Sequence, residues 1–170
     1  MNTVTVIVPA FNCSEVLSKC LSALAEQTAQ PLETIVVDDG SQDDTADVAE
    51  SFDGVKIIRR PKRGGAGAAR ATGAKEARGD ILAFIDSDCL APPDWLEKVI
   101  AEFEQDPKLA AVGGMYRHCH AKSLTSIFSK FEEDYLHGFF DKSPNHSALT
   151  GGNKAVKKSV WDECRSGREL

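Results

Sequence analysis

What this 170-residue sequence lacks narrows the field first. Its apolar stretches, such as residues 4–8 and 81–85, are short, far below the ~20 residues needed to cross a bilayer. The N-terminus has no basic region followed by an apolar core and a small-residue cleavage site, so no secretory signal is expected and a cytoplasmic setting follows. Positive charge is not in excess: the net charge of −6 gives no electrostatic reason for the domain to bind nucleic acid. The five cysteines (Cys13, Cys20, Cys89, Cys119 and Cys164) form no Cys-x-x-Cys pair and are odd in number, which argues for reduced thiols over a disulfide framework. His118-Cys119-His120 is the one Cys/His cluster. A strand would turn both histidines to one side, but two ligands make a poor metal site, and a solvated strand end is the better reading. Repeats and low-complexity segments are missing as well.

What is present is an ordinary globular composition, 42% apolar and 27% charged, long enough for one buried core. Short β-rich runs alternate with helical patterns, as in a parallel sheet covered by helices. Strands are expected over 3–8, stopped by Pro9, and over 33–37, 55–58, 81–85 and 109–116. Asn12 is expected to cap a helix with Val16, Leu17, Cys20, Leu21 and Leu24 on one face. Further helices are expected over about 43–52, from Gly64-Gly65-Ala66-Gly67 to Ala77, and from Pro93-Asp94 to before Pro107. Residues 122–140 suggest another, and a helix-like run follows Leu149-Thr150-Gly151-Gly152-Asn153 to Leu170.

In open α/β sheets, ligands bind outside the carboxyl ends of the strands. Here those ends read Pro9-Ala10-Phe11-Asn12, Asp38-Asp39-Gly40-Ser41 and Asp86-Ser87-Asp88. Extended residues at i and i+2 point to one side, so Asp86 and Asp88 would repel unless a cation lies beside them. A hard divalent ion, Mg²⁺ or Mn²⁺, suits one or two carboxylates completed by substrate phosphates. An isolated Asp-x-Asp is more often a solvated turn; its place after a fully apolar strand, beside Asp38-Asp39, favours a site. Gly64-Gly65-Ala66-Gly67 lacks the Lys-Ser/Thr of a Walker loop and follows a third strand, so a close backbone approach near a ligand is expected there in place of a dinucleotide fold. Arg70 is a candidate partner for a carboxylate or a diphosphate oxygen, against the plainer reading of a surface arginine.

Three segments, Thr3 to Asn12, Glu33 to Ser41 with Asp43-Asp44-Thr45, and Gly79 to Asp88, together resemble the family 2 glycosyltransferases. So do Arg63 to Gly73 and Thr150-Gly-Gly-Asn153 with Ala155 and Lys157-Lys158. The resemblance implies a Rossmann-like GT-A fold, three layers α/β/α with a mainly parallel central sheet. It implies a donor subdomain over 1–117 and the start of an acceptor-side subdomain over 118–170. Pro9, Ala10 and Phe11 would line the base pocket, and Asp39, after Asp38, would bond the nucleobase, usually uracil. Arg70 would hold the base-side aspartate or the nucleotide. Asp86 and Ser87 would lie by the ribose or metal, Asp88 would bind Mn²⁺ or Mg²⁺, and Gly152 and Asn153 would face the donor sugar or acceptor.

The implied reaction is inverting, metal-dependent transfer from a nucleotide-diphospho-sugar to an acceptor hydroxyl on a saccharide, lipid or protein. Arg63 and Ala71 depart from the family's asparagines. The family's Glu-Asp general-base motif is not found before Leu170, so nucleotide binding is expected ahead of turnover. A sugar nucleotidyltransferase and a non-catalytic nucleotide-binding module stay open as alternatives. The apolar face of residues 124–136 is expected to pack in the core, with a membrane surface or a further segment of chain as the other candidate contacts.

Overall fold

The computed structural model describes residues 2–113 and 152–166. The elements run β1 (Val4–Ala10), α1 (Ser14–Ala25), β2 (Glu33–Asp38), α2 (Thr45–Glu50), β3 (Val55–Arg59), α3 (Ala66–Glu76), β4 (Ile81–Ile85), α4 (Trp95–Gln105), β5 (Ala111–Gly113), β6 (Asn153–Lys157) and α5 (Lys158–Arg165). The six strands form one sheet in the order β3-β2-β1-β4-β6-β5. β1 to β4 pair in parallel, while β6 runs antiparallel to both β4 and β5.

Every residue of β1, β2 and β4 is buried, as expected for central strands covered on both faces. Strand alternation deals the side chains to two cores. Val4, Val6, Val8, Val36, Ile81, Ala83 and Ile85 pack with Leu17, Leu21 and Leu24 of α1 and with Trp95, Leu96 and Phe103 of α4. Ile7, Ile35, Val37, Leu82, Phe84 and Val156 pack on the other side with Ala69 and Ala74 of α3, and with Val160 and Trp161 of α5. The result is the expected α/β/α layering.

Helix α3 is made of small residues because it lies tight on the sheet. A Cβ added at Gly73 would stand 2.6 Å from the Ile7 Cγ2 and 3.1 Å from the Val37 Cγ2, too close for any side chain without displacement. At the opposite end of the sheet from the candidate site, Glu33 is buried. Burial pushes its carboxyl up, but the Arg78 backbone N–H, the Thr5 hydroxyl and the Arg78 guanidinium outweigh it and hold it below its ordinary value.

Several expectations need correction. Pro9 does not stop β1, which continues to Ala10. The β1–β4 ladder ends at the Ile7–Phe84 pair, so from there the strand is bonded to β2 alone, an edge position at which a missing N–H is tolerated. Asn12 does not cap α1; the N-cap residue is Cys13, with no side-chain cap of its own. The second helix is shorter than expected, Thr45–Glu50. The helix expected after Asn153 opens instead as a strand, β6, and becomes helical only at Lys158. The expected strand 109–116 is seen as Ala111–Gly113. The expectations for 114–151, including His118-Cys119-His120 and the helix over 122–140, lie outside the described residues. Among the described residues no helix is long and apolar enough to cross a membrane.

Candidate functional site

The parallel strands deliver β1, β2 and β4 to one rim, and the antiparallel β6 starts at that same rim. Asn153 pairs with Ile85, and the Asp86 amide donates to the Gly152 carbonyl at 3.0 Å. The rim therefore gathers Ala10 and Phe11, Asp38 and Asp39, Asp86 to Asp88, and Gly152 and Asn153, which were separate segments in the sequence.

The ends of β1 and β2 are stitched together. The Asp39 amide donates to the Ala10 carbonyl at 2.8 Å. Asn12, at φ 46°, donates its amide to the Ser41 hydroxyl at 2.9 Å and accepts the Gln42 amide on its side chain at 2.8 Å. That left-handed conformation is tolerated by asparagine far better than by most residues. Asp38 is buried, and its carboxylate accepts the Ser41 amide at 3.0 Å, closing the turn.

The role that Asn12 was expected to fill falls to the neighbouring loop. The Asp43 carboxylate accepts the Ser14 amide at 3.2 Å, and the Thr45 hydroxyl accepts the Cys13 amide at 2.8 Å. These bonds cap α1 from outside its own sequence, and they leave negative charge at its positive end. The Thr45 hydroxyl and the Ser14 and Thr45 amides hold the Asp43 carboxyl down to about 2.

Asp39 is almost wholly buried and satisfied by protein. It pairs with the Arg60 guanidinium, accepts the Gly64 amide at 3.0 Å, and accepts the Gly65 amide at 2.6 Å. Gly65 has φ 86°, a conformation glycine adopts without penalty, and this aims two consecutive amides at one carboxylate. A Cβ on Gly64 would stand 2.6 Å from the Arg60 guanidinium. The glycine run is thus a close backbone approach, made to an aspartate of the chain itself. Phe11 is half-buried beside it, with the exposed Arg63 guanidinium 4.2 Å from its ring centroid, a cation–π distance.

At the end of β4 the chain does not stay extended. The strand stops at Ile85, and the Cys89 amide closes a turn on the Asp86 carbonyl at 3.0 Å. The extended backbone assumed for placing Asp86 and Asp88 on one side is therefore replaced by a turn. Asp86 lies on the α3 face, where its carboxylate accepts from Arg70 at 2.5 Å; Arg70 thus serves Asp86, and Arg60 serves Asp39. Asp88 is exposed, with the Cys89 thiol at 3.7 Å from its carboxylate. Ser87 sits between them, half-buried. Asn153 accepts the Trp95 indole N–H at 3.0 Å, which orients its amide from the other core. Gly152 is buried behind Asp86.

Among the described residues no group of three metal-ligating side chains is found. A hard cation that keeps waters and takes substrate phosphates needs only one or two carboxylates. Asp88, exposed and without an ion pair, fits that demand; Asp86, already paired with Arg70, fits it less.

Two residues of this region carried no expectation. Arg60 was hidden because its partner is reached across the β2–β3 ladder, one residue past the Asp38–Arg59 pair, where the Arg60 amide donates to the Asp38 carbonyl at 2.8 Å. Lys154 sits on β6 opposite Phe84, inside a segment read as helical. Cys13, Cys20, Cys89 and Cys164 are free thiols. Burial first, then the nearby thiols and acids, pushes Cys20 up to about 12; burial, Asp88 and Asp86 do the same to Cys89.

Comparison with known proteins agrees with this arrangement. The sequence profile for glycosyl transferase family 2 matches residues 5–165. Glycosyltransferase AglE of Haloferax volcanii is 40% identical over 104 residues, 58% of this chain and 34% of the relative. A glucosyl-dolichyl phosphate glucuronosyltransferase of the same organism is 33% identical over 116 residues, 65% of this chain and 37% of the relative. The chain thus spans little more than a third of the length of these curated relatives. Among solved structures, a mannosyltransferase from Pyrobaculum calidifontis in complex with GDP-Man and Mn²⁺ superposes with a TM-score of 0.73. Its identity is 26%, over 98% of this chain and 47% of that one. Glucosyl-3-phosphoglycerate synthase from Mycobacterium tuberculosis, with Mn²⁺, UDP-glucose and phosphoglyceric acid, gives 0.68 at 22% identity, over 93% and 57%.

Proposed function

This chain belongs to glycosyl transferase family 2, and on that premise we propose that it binds a nucleotide-diphospho-sugar, a UDP-sugar, and serves inverting transfer of the sugar to an acceptor hydroxyl. The observation that carries the reading is the convergence at one sheet rim of Phe11, Asp38-Asp39, Asp86 to Asp88 and Gly152-Asn153. The mannosyltransferase neighbour holding GDP-Man and Mn²⁺ supports it.

In this reading the base lies against Pro9, Ala10 and Phe11. Asp38 and Asp39 shape the pocket wall, and Asp39 does so by fixing residues 60–65; direct contact of its carboxylate with a base would have to replace one of its present donors. Arg70 holds Asp86 toward the ribose. Asp88, with Asp86 and Ser87 beside it, holds Mn²⁺ or Mg²⁺, which when bound neutralises charge on the leaving diphosphate. Gly152 and Asn153 border the space for the donor sugar and the acceptor, whether saccharide, lipid or protein. Trp95 and Ile85 are buried on the core side of the rim.

The test is calorimetric titration of UDP, GDP and ADP, with and without Mn²⁺, against the chain and Asp88→Ala. The expected result is Mn²⁺-dependent UDP binding that weakens about tenfold or more in Asp88→Ala, the loss of one charge-assisted contact. A folded chain that binds none of the three nucleotides defeats the reading, and tighter binding of GDP than UDP moves the donor to a guanosine sugar.

A further inference from the structure

The face of the sheet covered by α3 and α5 has more hydrogen-bond donors at the rim than acceptors. Phe84 packs on that face, the Arg70 ion pair holds Asp86 there, and the β4–β6 register sets Lys154 directly across from Phe84. The Lys154 ammonium stands 5.8 Å from the Phe84 ring centroid. Trp161 of α5 closes over the same ring at 5.1 Å. The single acid of the group, Asp86, is already taken by the Arg70 Nη2 at 2.5 Å. Three donors are left over. The Arg70 Nε and the Trp161 Nε1 are buried without a hydrogen-bond partner, and the Lys154 ammonium has no acceptor among the described residues.

Burying an ammonium in that position is costly. Burial, and then the Arg70 charge, pull the Lys154 pKa below its ordinary value, with Asp86 pulling the other way. Packing alone would be served better by an uncharged side chain opposite Phe84. A lysine that is half-buried, beside an arginine, at a rim that also carries Asp86 suits an acceptor-rich anion that arrives from outside the chain.

We propose that Lys154 is a diphosphate-binding residue of this chain: with Arg70 behind it, its ammonium contacts the phosphate oxygens of the donor's diphosphate on the side away from Asp88. The inference rests on the nucleotide-sugar reading above and deepens it. A fixed cation on one side of the diphosphate and a metal at Asp88 on the other would share the neutralisation of its charge. Part of the diphosphate affinity then resides in the protein and survives removal of metal.

The experiment is titration of uridine, UMP, UDP and inorganic pyrophosphate in EDTA, against the chain, Lys154→Met, Lys154→Gln and Lys154→Arg. Thermal melts of each variant establish that it is folded. Expected is measurable UDP and pyrophosphate binding that weakens about tenfold or more in both neutral variants. Uridine binding should be unchanged, and Lys154→Arg should retain most of the affinity. Wild-type affinity for UDP and pyrophosphate in folded Lys154→Met and Lys154→Gln overturns the proposal. So does the absence of any UDP or pyrophosphate binding in EDTA, even if UDP binds with Mn²⁺ and the nucleotide-sugar reading stands. If pyrophosphate binding depends on Lys154 while no nucleoside compound binds, the anion subsite survives and the nucleotide-sugar reading is what falls.

Discussion

The Asp86 amide donates to the Gly152 carbonyl at 3.0 Å, and through this bond the acid-rich end of β4 is fixed against the segment that begins β6. Asp86 is held twice, by backbone to Gly152 and by side chain to Arg70. The rim position of this residue is therefore set from both sides before any ligand arrives.

Asp39 is the first place to test the rim's construction. Asp39→Asn would leave the Arg60 guanidinium without a counter-charge and would replace one oxygen that now accepts backbone amides with a donor. The expected cost is about 2–4 kcal/mol, because the carboxylate is buried, the Arg60 charge loses its counter-charge and the donors on the replaced oxygen lose their acceptor. Denaturant unfolding reads the stability. Amide exchange at Gly64 and Gly65 should rise with it; unchanged exchange at those two amides would mean that the carboxylate does not organise the loop.

A second expectation concerns acid. The Asp43 carboxyl is held at about 2 against an ordinary 3.8, so the folded state binds its proton more weakly than the unfolded chain does. Its contribution is fully present above the unfolded value and is lost as the pH falls through about 2. Asp43→Asn should therefore melt below the wild type at pH 6, and the gap should close between pH 4 and pH 2. A gap independent of pH would assign the effect to shape and not to charge.

The thiols give a third. With Cys20 and Cys89 each pushed up to about 12, almost no thiolate is present at neutral pH, and the thiolate is the reactive form. Cys164 is exposed. Iodoacetamide at pH 7.5, followed residue by residue with mass spectrometry, should label Cys164 well before Cys20 or Cys89. Rapid labelling of Cys20 in the folded chain would contradict the burial described for it.

The sequence carries the layering plainly, because the strands buried on both faces are short, apolar and punctuated by Asp, Gly and Pro. It carries the two acidic strand ends for the same reason: charge directly after a buried strand has few places to go. Three things were not legible. The strand β6 was hidden because Asn-Lys-Ala-Val-Lys holds two lysines and pairs with a partner about seventy residues away, so no local period marks it. The Arg60–Asp39 pair depends on the parallel register of β2 and β3, which neither segment discloses by itself. The turn that Cys89 closes on Asp86 was the third, since alternation along a strand cannot foresee where the strand ends.

The direction of β6 has a consequence for how this scaffold can change. Strand β5 ends at Gly113 and β6 begins at Asn153, with Gly113 paired to Lys154. Gly113 and Lys154 are therefore neighbours on one rim although far apart in sequence. Whatever lies between those two anchors can lengthen, shorten or be exchanged while the ladder on either side keeps its register. The β6 anchor lies beside Asp86, whose amide donates to the Gly152 carbonyl, so any such exchange falls next to the candidate site. A scaffold built this way can vary one border of its acidic rim while the strand pairing beneath it stays fixed.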